Sequence, residues 1–179
     1  EPVVITSKSK DGKYYLAKNV CCSGWIPVDS VAICKDKSEW ISAWDIKCED
    51  ALIVWGDKVF TETSIVGEKT SDLMLTMGTV LEIARDINPN ELIDNRALYN
   101  NYPVWIPIRN DDGTYSKKLT LISEHKKVTE GYMPLTKANI SKIALSALGN
   151  TYGWGGNLYA DDCSGYMRNV YKCFGMELA

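Results

Sequence analysis

A short segment occurs twice in this chain, and its two copies divide the sequence into successive units. Residues 24–33 read GWIPVDSVAI, and residues 131–140 read GYMPLTKANI. In each copy a glycine, an aromatic, an aliphatic and a proline precede another aliphatic residue and a short polar turn. The alternation predicts a strand that ends at the proline, which has no N–H for the ladder, and then one 3₁₀ turn. Two such endings predict two small, mainly β units.

The sequence between the two copies is also typical of strands. Residues 110–113 read NDDG and predict a hairpin with a type I turn and a glycine bulge. Residues 86–101 read as an irregular insertion, with one helical turn near residues 91–97. Residues 37–44 predict either a turn of helix or a linker. Short apolar or alternating runs, each predicted as a strand, occupy residues 52–55, 78–83, 104–108 and 118–122.

The hydrophobic period changes to that of a helix after Pro134. Thr136 or Asn139 can cap the start of this helix, and Gly149 suits its end. The apolar stripe that predicts it consists of Ile140, Ile143, Ala144, Ala147 and Leu148.

A second predicted helix begins at Cys163. The apolar residues that follow it stand at offsets of 3, 4, 7, 8 and 11, which form one continuous helical face. Asp162 can cap this helix, and Gly175 suits its end. The unpaired N–H groups and the dipole of a helix N-terminus favour a thiolate, the nucleophilic form of cysteine. A buried structural cysteine is the commoner fate, but the glycine-rich loop YGWGG at residues 152–156 makes a nucleophile the preferred interpretation.

These motifs, taken in order, resemble the NlpC-type cell-wall cysteine peptidases, a papain-like family. The resemblance is close over roughly the last quarter of the chain, from GYMPLT at residue 131 through YGWGG to DCSGY at residues 162–166. The chain is similar in particular to the subgroup in which SH3-like domains precede the peptidase, because its repeated segment resembles the last strands of SH3-like barrels.

The resemblance implies a multidomain, mainly β fold. Two SH3-like β-barrels are expected: a complete or N-terminally shortened one at residues 1–48, and one with an insertion at residues 49–135. The N-terminal helical part of a papain-like α+β peptidase domain is expected at residues 136–179.

The resemblance also implies the site residues. Cys163 is the expected nucleophile, and Tyr152 is expected beside it, binding substrate or the oxyanion. Asp162 and Ser164 are expected near the free amine of the substrate, although a plain helix cap remains the alternative for Asp162. The backbone N–H of Cys163 is a further oxyanion candidate by its position at a helix start. Trp154 and its neighbouring glycines are expected to shape the loop.

Peptidoglycan stem peptides are the substrate class that the family implies. Its members typically cleave between γ-D-glutamate and a diamino acid, and those with preceding SH3-like domains favour a free N-terminal L-alanine. No cofactor or metal is expected. The substrate class implies the cell envelope or another extracytoplasmic location, with cytoplasmic cell-wall recycling as the alternative.

A cysteine peptidase also needs a base, and the family's histidine and its polar partner lie downstream of the cysteine. The only histidine here is His125, upstream, in a polar stretch predicted as a solvated loop. The chain is therefore expected to carry the nucleophile half of a site. The rest of the peptidase domain, including its sheet, is expected beyond residue 179 or in a separate chain, leaving both helices partly uncovered. The isolated chain is expected to be inactive.

Two alternatives remain open. The first is a non-catalytic module in which SH3-like domains bind cell-wall peptide and the peptidase remnant is inert. The second is an acyltransferase on the same papain-like fold, since a thiolate acyl-enzyme can pass its acyl group to an amine instead of water.

Composition excludes several other classes of partner. Apolar residues make up 45% and the net charge is −3, which is typical of a folded soluble protein and provides no basic field for nucleic acid. The sequence contains no apolar run long enough for a membrane span and no recognisable signal peptide. Cys163 and Cys173 stand too far apart on one helix to pair. The remaining possible disulfide partners, none of them assigned to a pair, are Cys21, Cys22, Cys34 and Cys48.

Overall fold

The computed structural model describes residues 2–20 and 22–178, and the chain divides into two compact units. Unit 1 takes the residues up to Ile46 together with Pro107–Lys118. Unit 2 takes Lys47–Ile106 and Leu119–Leu178. The predicted domain limits at residues 48 and 135 stay predictions.

Unit 1 is built on an antiparallel sheet of three strands, β1 (Val4–Lys8), β2 (Tyr14–Lys18) and β3 (Ser23–Pro27). β3 ends at its proline and a 3₁₀ turn over Val28–Ser30 follows, which confirms the prediction for the first copy of the repeat. Residues 37–44 contain a short helix, α1 (Lys37–Ser42), capped by the Asp36 side chain.

Unit 2 contains a five-stranded sheet in the order β10-β4-β7-β8-β9 and a separate two-stranded ribbon. Every residue of β4 is fully buried, so this strand forms the centre of the core. β8 and β9 are long strands that belong partly to each unit. The strands of the sheet are β4 (Ala51–Val54), β7 (Val80–Ile83), β8 (Asn101–Arg109), β9 (Tyr115–Ser123) and β10 (Val128–Glu130), and those of the ribbon are β5 (Lys58–Phe60) and β6 (Met74–Thr76).

The turn between β8 and β9 confirms the hairpin predicted at residues 110–113. The Gly113 N–H donates to the Asn110 carbonyl at 2.9 Å, and the Asn110 N–H donates to the Thr114 carbonyl at 2.9 Å. Gly113 has a φ of +89°, a conformation that glycine adopts without steric cost. Of the irregular insertion predicted at residues 86–101, all but Asn101, the first residue of β8, lies outside the named strands and helices, and the helical turn expected near residues 91–97 is a β-bridge between Ile93 and Arg96.

The second copy of the repeat differs from the first. β10 ends at Glu130, before the copy begins, and Gly131 turns the chain with a φ of +65°. The Gly131 N–H donates to the Ala51 carbonyl at 2.8 Å, and the Met133 N–H donates to the Cys173 carbonyl at 3.1 Å. The predicted strand and 3₁₀ turn are therefore wrong here, because the chain turns away at Gly131 after one further bond to β4, and Met133 bonds to the end of the last helix.

Two helices follow, α2 (Lys137–Leu145) and α3 (Cys163–Lys172). The α2 cap is Thr136, whose hydroxyl accepts the Asn139 N–H at 3.2 Å. α2 ends at Leu145, before the predicted stop, and hydrogen-bonded turns continue to Asn150. In the described part of the chain, no helix has the length and apolar character needed to cross a membrane.

Both helices are covered only in part, as expected. Their innermost residues are buried in unit 2, and the Cys173 sulfur lies 3.5 Å from the Val54 carbonyl of β4. In contrast, Leu145 is 63% exposed and Leu148 is 82% exposed. The fully or nearly fully buried helix residues are Ile143, Val170 and Cys173.

The mostly β content confirms a mainly β, multidomain fold class. No closed barrel is found among the described residues, so the SH3-like assignment stays a prediction.

Candidate functional site

Cys163 is the first residue of α3, and its side chain is exposed. The residue before it is the helix cap: Asp162 Oδ1 accepts the Gly165 N–H at 2.7 Å and the Ser164 hydroxyl at 3.0 Å. These two hydrogen bonds lower the pKa of Asp162, so its carboxylate form is favoured. Asp162 therefore caps α3, and the Ser164 hydroxyl is hydrogen-bonded to its carboxylate.

Tyr152 lies directly beside the nucleophile. Both side chains line the same hollow, and Cys163 is close enough to influence the phenol electrostatically. Partial desolvation, the nearby Cys163 side chain and the charge of Asp162 raise the pKa of Tyr152. The phenol consequently stays protonated near neutral pH, and it can donate to the sulfur but cannot act as the base.

The glycine-rich segment leads from Tyr152 into a 3₁₀ helix over Trp154–Tyr159. Gly155 and Gly156 have φ values of +64° and +77°, which favour glycine. The Gly153 N–H donates to the Asp161 carbonyl at 3.1 Å, which ties the loop to the residues before α3. Trp154 is largely exposed and meets the Tyr152 ring edge-on, with ring centroids 6.5 Å apart. The loop-shaping role expected of Trp154 and the glycines stays a prediction.

A hollow of about 400 Å³ contains the exposed thiol. The end of α2 and the residues after it form its apolar side, and Tyr152, Asp162 and Cys163 form the polar side. The Tyr166 hydroxyl donates to the Ala144 carbonyl at 2.8 Å and so joins α3 to α2 across this hollow. The structure thus places three of the four predicted site residues, Tyr152, Asp162 and Cys163, around one hollow. The fourth, Ser164, is hydrogen-bonded to Asp162.

Asp161 is a further acidic residue of the hollow that was not predicted from the sequence. Its Oδ1 accepts the Asn169 side-chain N–H at 2.9 Å. Desolvation raises the pKa of Asp161, the carboxylates of Asp57 and Asp162 add to this, and the Asn169 hydrogen bond opposes it. The doublet of aspartates before Cys163 was the available signal in the sequence.

The other cysteines differ from Cys163 in their surroundings. Burial raises the pKa of Cys173 to about 11. Burial and the charges of Glu39 and Asp36 also raise the pKa of Cys34. Cys22, Cys34 and Cys48 are free thiols, and Cys21 lies outside the described residues. Within residues 2–20 and 22–178, no cluster of three potential metal ligands is found.

His125 does not join Cys163 in this hollow. It is exposed in the turn between β9 and β10 and lines a different hollow of unit 2. Among the described residues, no histidine lines the cysteine hollow.

Comparison with known proteins gives a fold neighbour. No family model and no curated protein matches this chain. Among solved structures, the chain is similar to a novel NlpC/P60 endopeptidase from Photobacterium damselae subsp. piscicida, with a TM-score of 0.72 and 24% sequence identity. The match covers 98% of this chain and 34% of that one. This likeness shows a shared fold. The neighbour is a member of the family that the sequence motifs resemble, and this chain spans about a third of its length.

Proposed function

We propose that this chain carries the nucleophile of a cysteine peptidase that acts on cell-wall peptides. The observation that carries the proposal is the exposed Cys163 at the capped start of α3, which shares an open hollow with Tyr152. An exposed cysteine at a helix N-terminus next to a polar donor is the environment of a reactive thiol. The fold shared with an NlpC/P60 endopeptidase supports the same conclusion.

The bond that the peptidase is proposed to cleave is the amide between γ-D-glutamate and a diamino acid. The Cys163 sulfur attacks the carbonyl carbon, the amine leaves with a proton, and water then hydrolyses the thioester to release the acid. The Cys163 N–H, at the start of α3, is positioned to donate to the oxyanion. Asp162 and Ser164 are proposed to bind the free amine of the stem peptide, in addition to the cap role of Asp162.

The base is proposed to be a histidine from polypeptide outside these 179 residues. His125 lies in another hollow, and the raised pKa of Tyr152 makes it unsuitable as a base. The exposed Leu145 and Leu148, next to the cysteine hollow, offer an apolar surface on which the segment that carries this histidine would pack. A cell-envelope location follows from the proposed substrate.

An activated ester tests the nucleophile without needing the base. A p-nitrophenyl ester of L-alanyl-γ-D-glutamate has a leaving group that needs no proton, so the chain of 179 residues should release a stoichiometric burst of nitrophenolate. The matched Cys163→Ala variant should give none, and the corresponding peptide amide should not be cleaved by either protein. A burst that survives in Cys163→Ala would overturn the assignment.

The same assay separates the alternatives. Saturable binding of the peptide without any burst would favour a non-catalytic binding module. Transfer of the acyl group to an added amine in preference to water, once the base is supplied, would favour an acyltransferase.

A further inference from the structure

A second hollow of unit 2, about 420 Å³ in volume, carries a surplus of cationic groups. Its ionisable lining consists of Lys58, His125, Lys126 and Lys127, and Asp57 opposes them. The proposed cysteine chemistry uses none of these side chains. We call this region the cationic hollow.

The lysines of the cationic hollow have different surroundings. Lys126 is engaged within the protein, because its Nζ donates to the Phe60 carbonyl at 2.6 Å and pairs with Glu62. Lys58 is exposed at the start of β5, and Lys127 is exposed in the turn before β10. The charges available to a ligand therefore come mainly from Lys58 and Lys127.

Lys127 is held in place by its neighbours. Its carbonyl accepts the N–H groups of Trp55 and Gly56 at 2.9 and 3.1 Å. A Cβ added to Gly56 would lie 2.7 Å from the Lys127 Cβ, so the stem of the lysine lies directly over the glycine. The ammonium stands 5.9 Å from the centroid of the Trp55 ring, and Lys142 lies closer to the same ring, at 4.3 Å. The backbone and stem of Lys127 are therefore held, which reduces the entropy lost when its charge binds a ligand.

The cationic hollow adjoins the cysteine hollow around the end of α2. Ser146 lines the cationic hollow and donates to the Trp55 carbonyl at 3.1 Å, while its neighbours Leu145 and Ala147 line the cysteine hollow. The charge of Asp57, in the cationic hollow, helps to raise the pKa of Asp161 in the cysteine hollow. Unit 2 therefore presents carboxylates beside the thiol and ammonium groups in the adjoining hollow.

We propose that the cationic hollow is a subsite for a carboxylate of the peptide that Cys163 attacks. This inference rests on the proposed function. It adds that the peptide carries a carboxylate at one end, in addition to the free amine at the other. A γ-linked glutamate keeps its α-carboxylate free, and a diamino acid such as diaminopimelate adds further carboxylates. Lys58 and Lys127 supply the complementary charges, and Asp57 limits their net attraction.

The only histidine of the sequence gives a specific reporter of this subsite. The Cys163→Ala form of the chain, which cannot react, is titrated with L-alanyl-γ-D-glutamyl-diaminopimelate while the His125 imidazole signals are followed by NMR. We expect a saturable shift, and we expect the same tripeptide with all carboxylates amidated to give none. In the Lys58→Gln/Lys127→Gln variant, affinity should fall by about tenfold, the effect of about 1.4 kcal/mol of lost charge interaction.

Lys137→Gln is the matched control, because it removes one exposed charge at the opposite end of α2. Its affinity should equal that of the parent protein. An equal response to the amidated tripeptide, or an unchanged affinity in the double variant, would overturn the subsite.

A parallel measurement distinguishes failure of the subsite from failure of the proposed function. Bound tripeptide should slow the alkylation of Cys163 in the native chain. Slower alkylation without any His125 shift would refute the subsite and leave the peptidase proposal standing. A His125 shift without slower alkylation would establish a carboxylate site and count against the cysteine as its reactive partner. No response in either measurement would refute the subsite.

Discussion

The two ends of α3 each carry a cysteine, and the two thiols have opposite surroundings. Cys173, at the C-terminal end, is 0% exposed, and its sulfur faces the carbonyls of Val54 and Asn169 at 3.5 Å. Cys163, at the N-terminal end, is exposed beside a tyrosine hydroxyl and behind a glycine-rich loop. One helix thus holds a cysteine of the core and a cysteine of the site. The difference shows that burial and local donors, rather than the residue type, separate a structural thiol from a reactive one.

The largest expected contrast between the two ends is in thiol reactivity. Cys173 has a pKa raised to about 11. Relative to an ordinary thiol near 8.5, that pKa alone lowers the thiolate fraction at neutral pH by more than about 100-fold, and burial slows the reaction further. With iodoacetamide and mass spectrometry of the native protein, Cys163 should be modified while Cys173 remains unmodified. Equal rates at the two residues would remove the distinction on which the site assignment depends.

Substitution by serine should sharpen the same comparison through stability. Cys173→Ser places a hydroxyl in a buried position, and we expect the free energy of unfolding to fall by about 1–3 kcal/mol. Cys163→Ser, at the exposed end, should change it by less than about 0.5 kcal/mol. Urea unfolding followed by tryptophan fluorescence measures both. A larger loss for Cys163→Ser would mean that its side chain supports the fold.

A smaller effect is expected from Tyr152→Phe. The hydroxyl shares the hollow with the sulfur and can donate to its thiolate, so its removal should slow alkylation of Cys163 by a few-fold, the effect of one hydrogen bond. The rate at Cys22, an exposed free thiol in unit 1, should stay the same and serves as the internal control. A rate at Cys163 that does not change would show that the hydroxyl has no effect on the sulfur.

The smallest expected effect is a pH dependence at the capped end. Hydrogen bonds from Gly165 and Ser164 lower the pKa of Asp162 below its ordinary value of 3.8. The group therefore adds stability above pH 3.8, and this contribution is lost as the pH falls through the lowered pKa. The parent protein should exceed Asp162→Asn in stability near pH 6, and the difference should shrink below pH 3.8. A difference that is constant from pH 6 to pH 3 would contradict this account.

Local signals were sufficient to predict much of the fold. Asp162 and Thr136 cap the predicted helices, and Gly113 bends the predicted hairpin, because each effect depends on residues within one or two turns. The strands around β4 followed from their apolar runs. The motifs near Cys163 also predicted a neighbourhood of Tyr152 and Asp162 that the structure brings together.

Contacts between distant parts of the chain were not predictable in this way. The second copy of the repeat binds Ala51 and Cys173 through its backbone, so its strand-like pattern is overridden. Residues 107–118 belong with unit 1, where Ile33 forms a β-bridge with Thr114 of the hairpin turn. No local sequence pattern around either residue predicts this contact. Asp161 was missed for a similar reason, since only the fold shows that it is partly buried and bonded to Asn169.

The contact between the Cys173 sulfur and the Val54 carbonyl has a consequence for the order of folding. The two residues are 119 positions apart in the chain. Closing so long a loop costs entropy that is recovered only when both elements are present. During synthesis, α3 can therefore dock against β4 only after the chain between Val54 and Cys173 has been made. The nucleophile at the other end of α3 is consequently placed only when this long-range contact of unit 2 has formed.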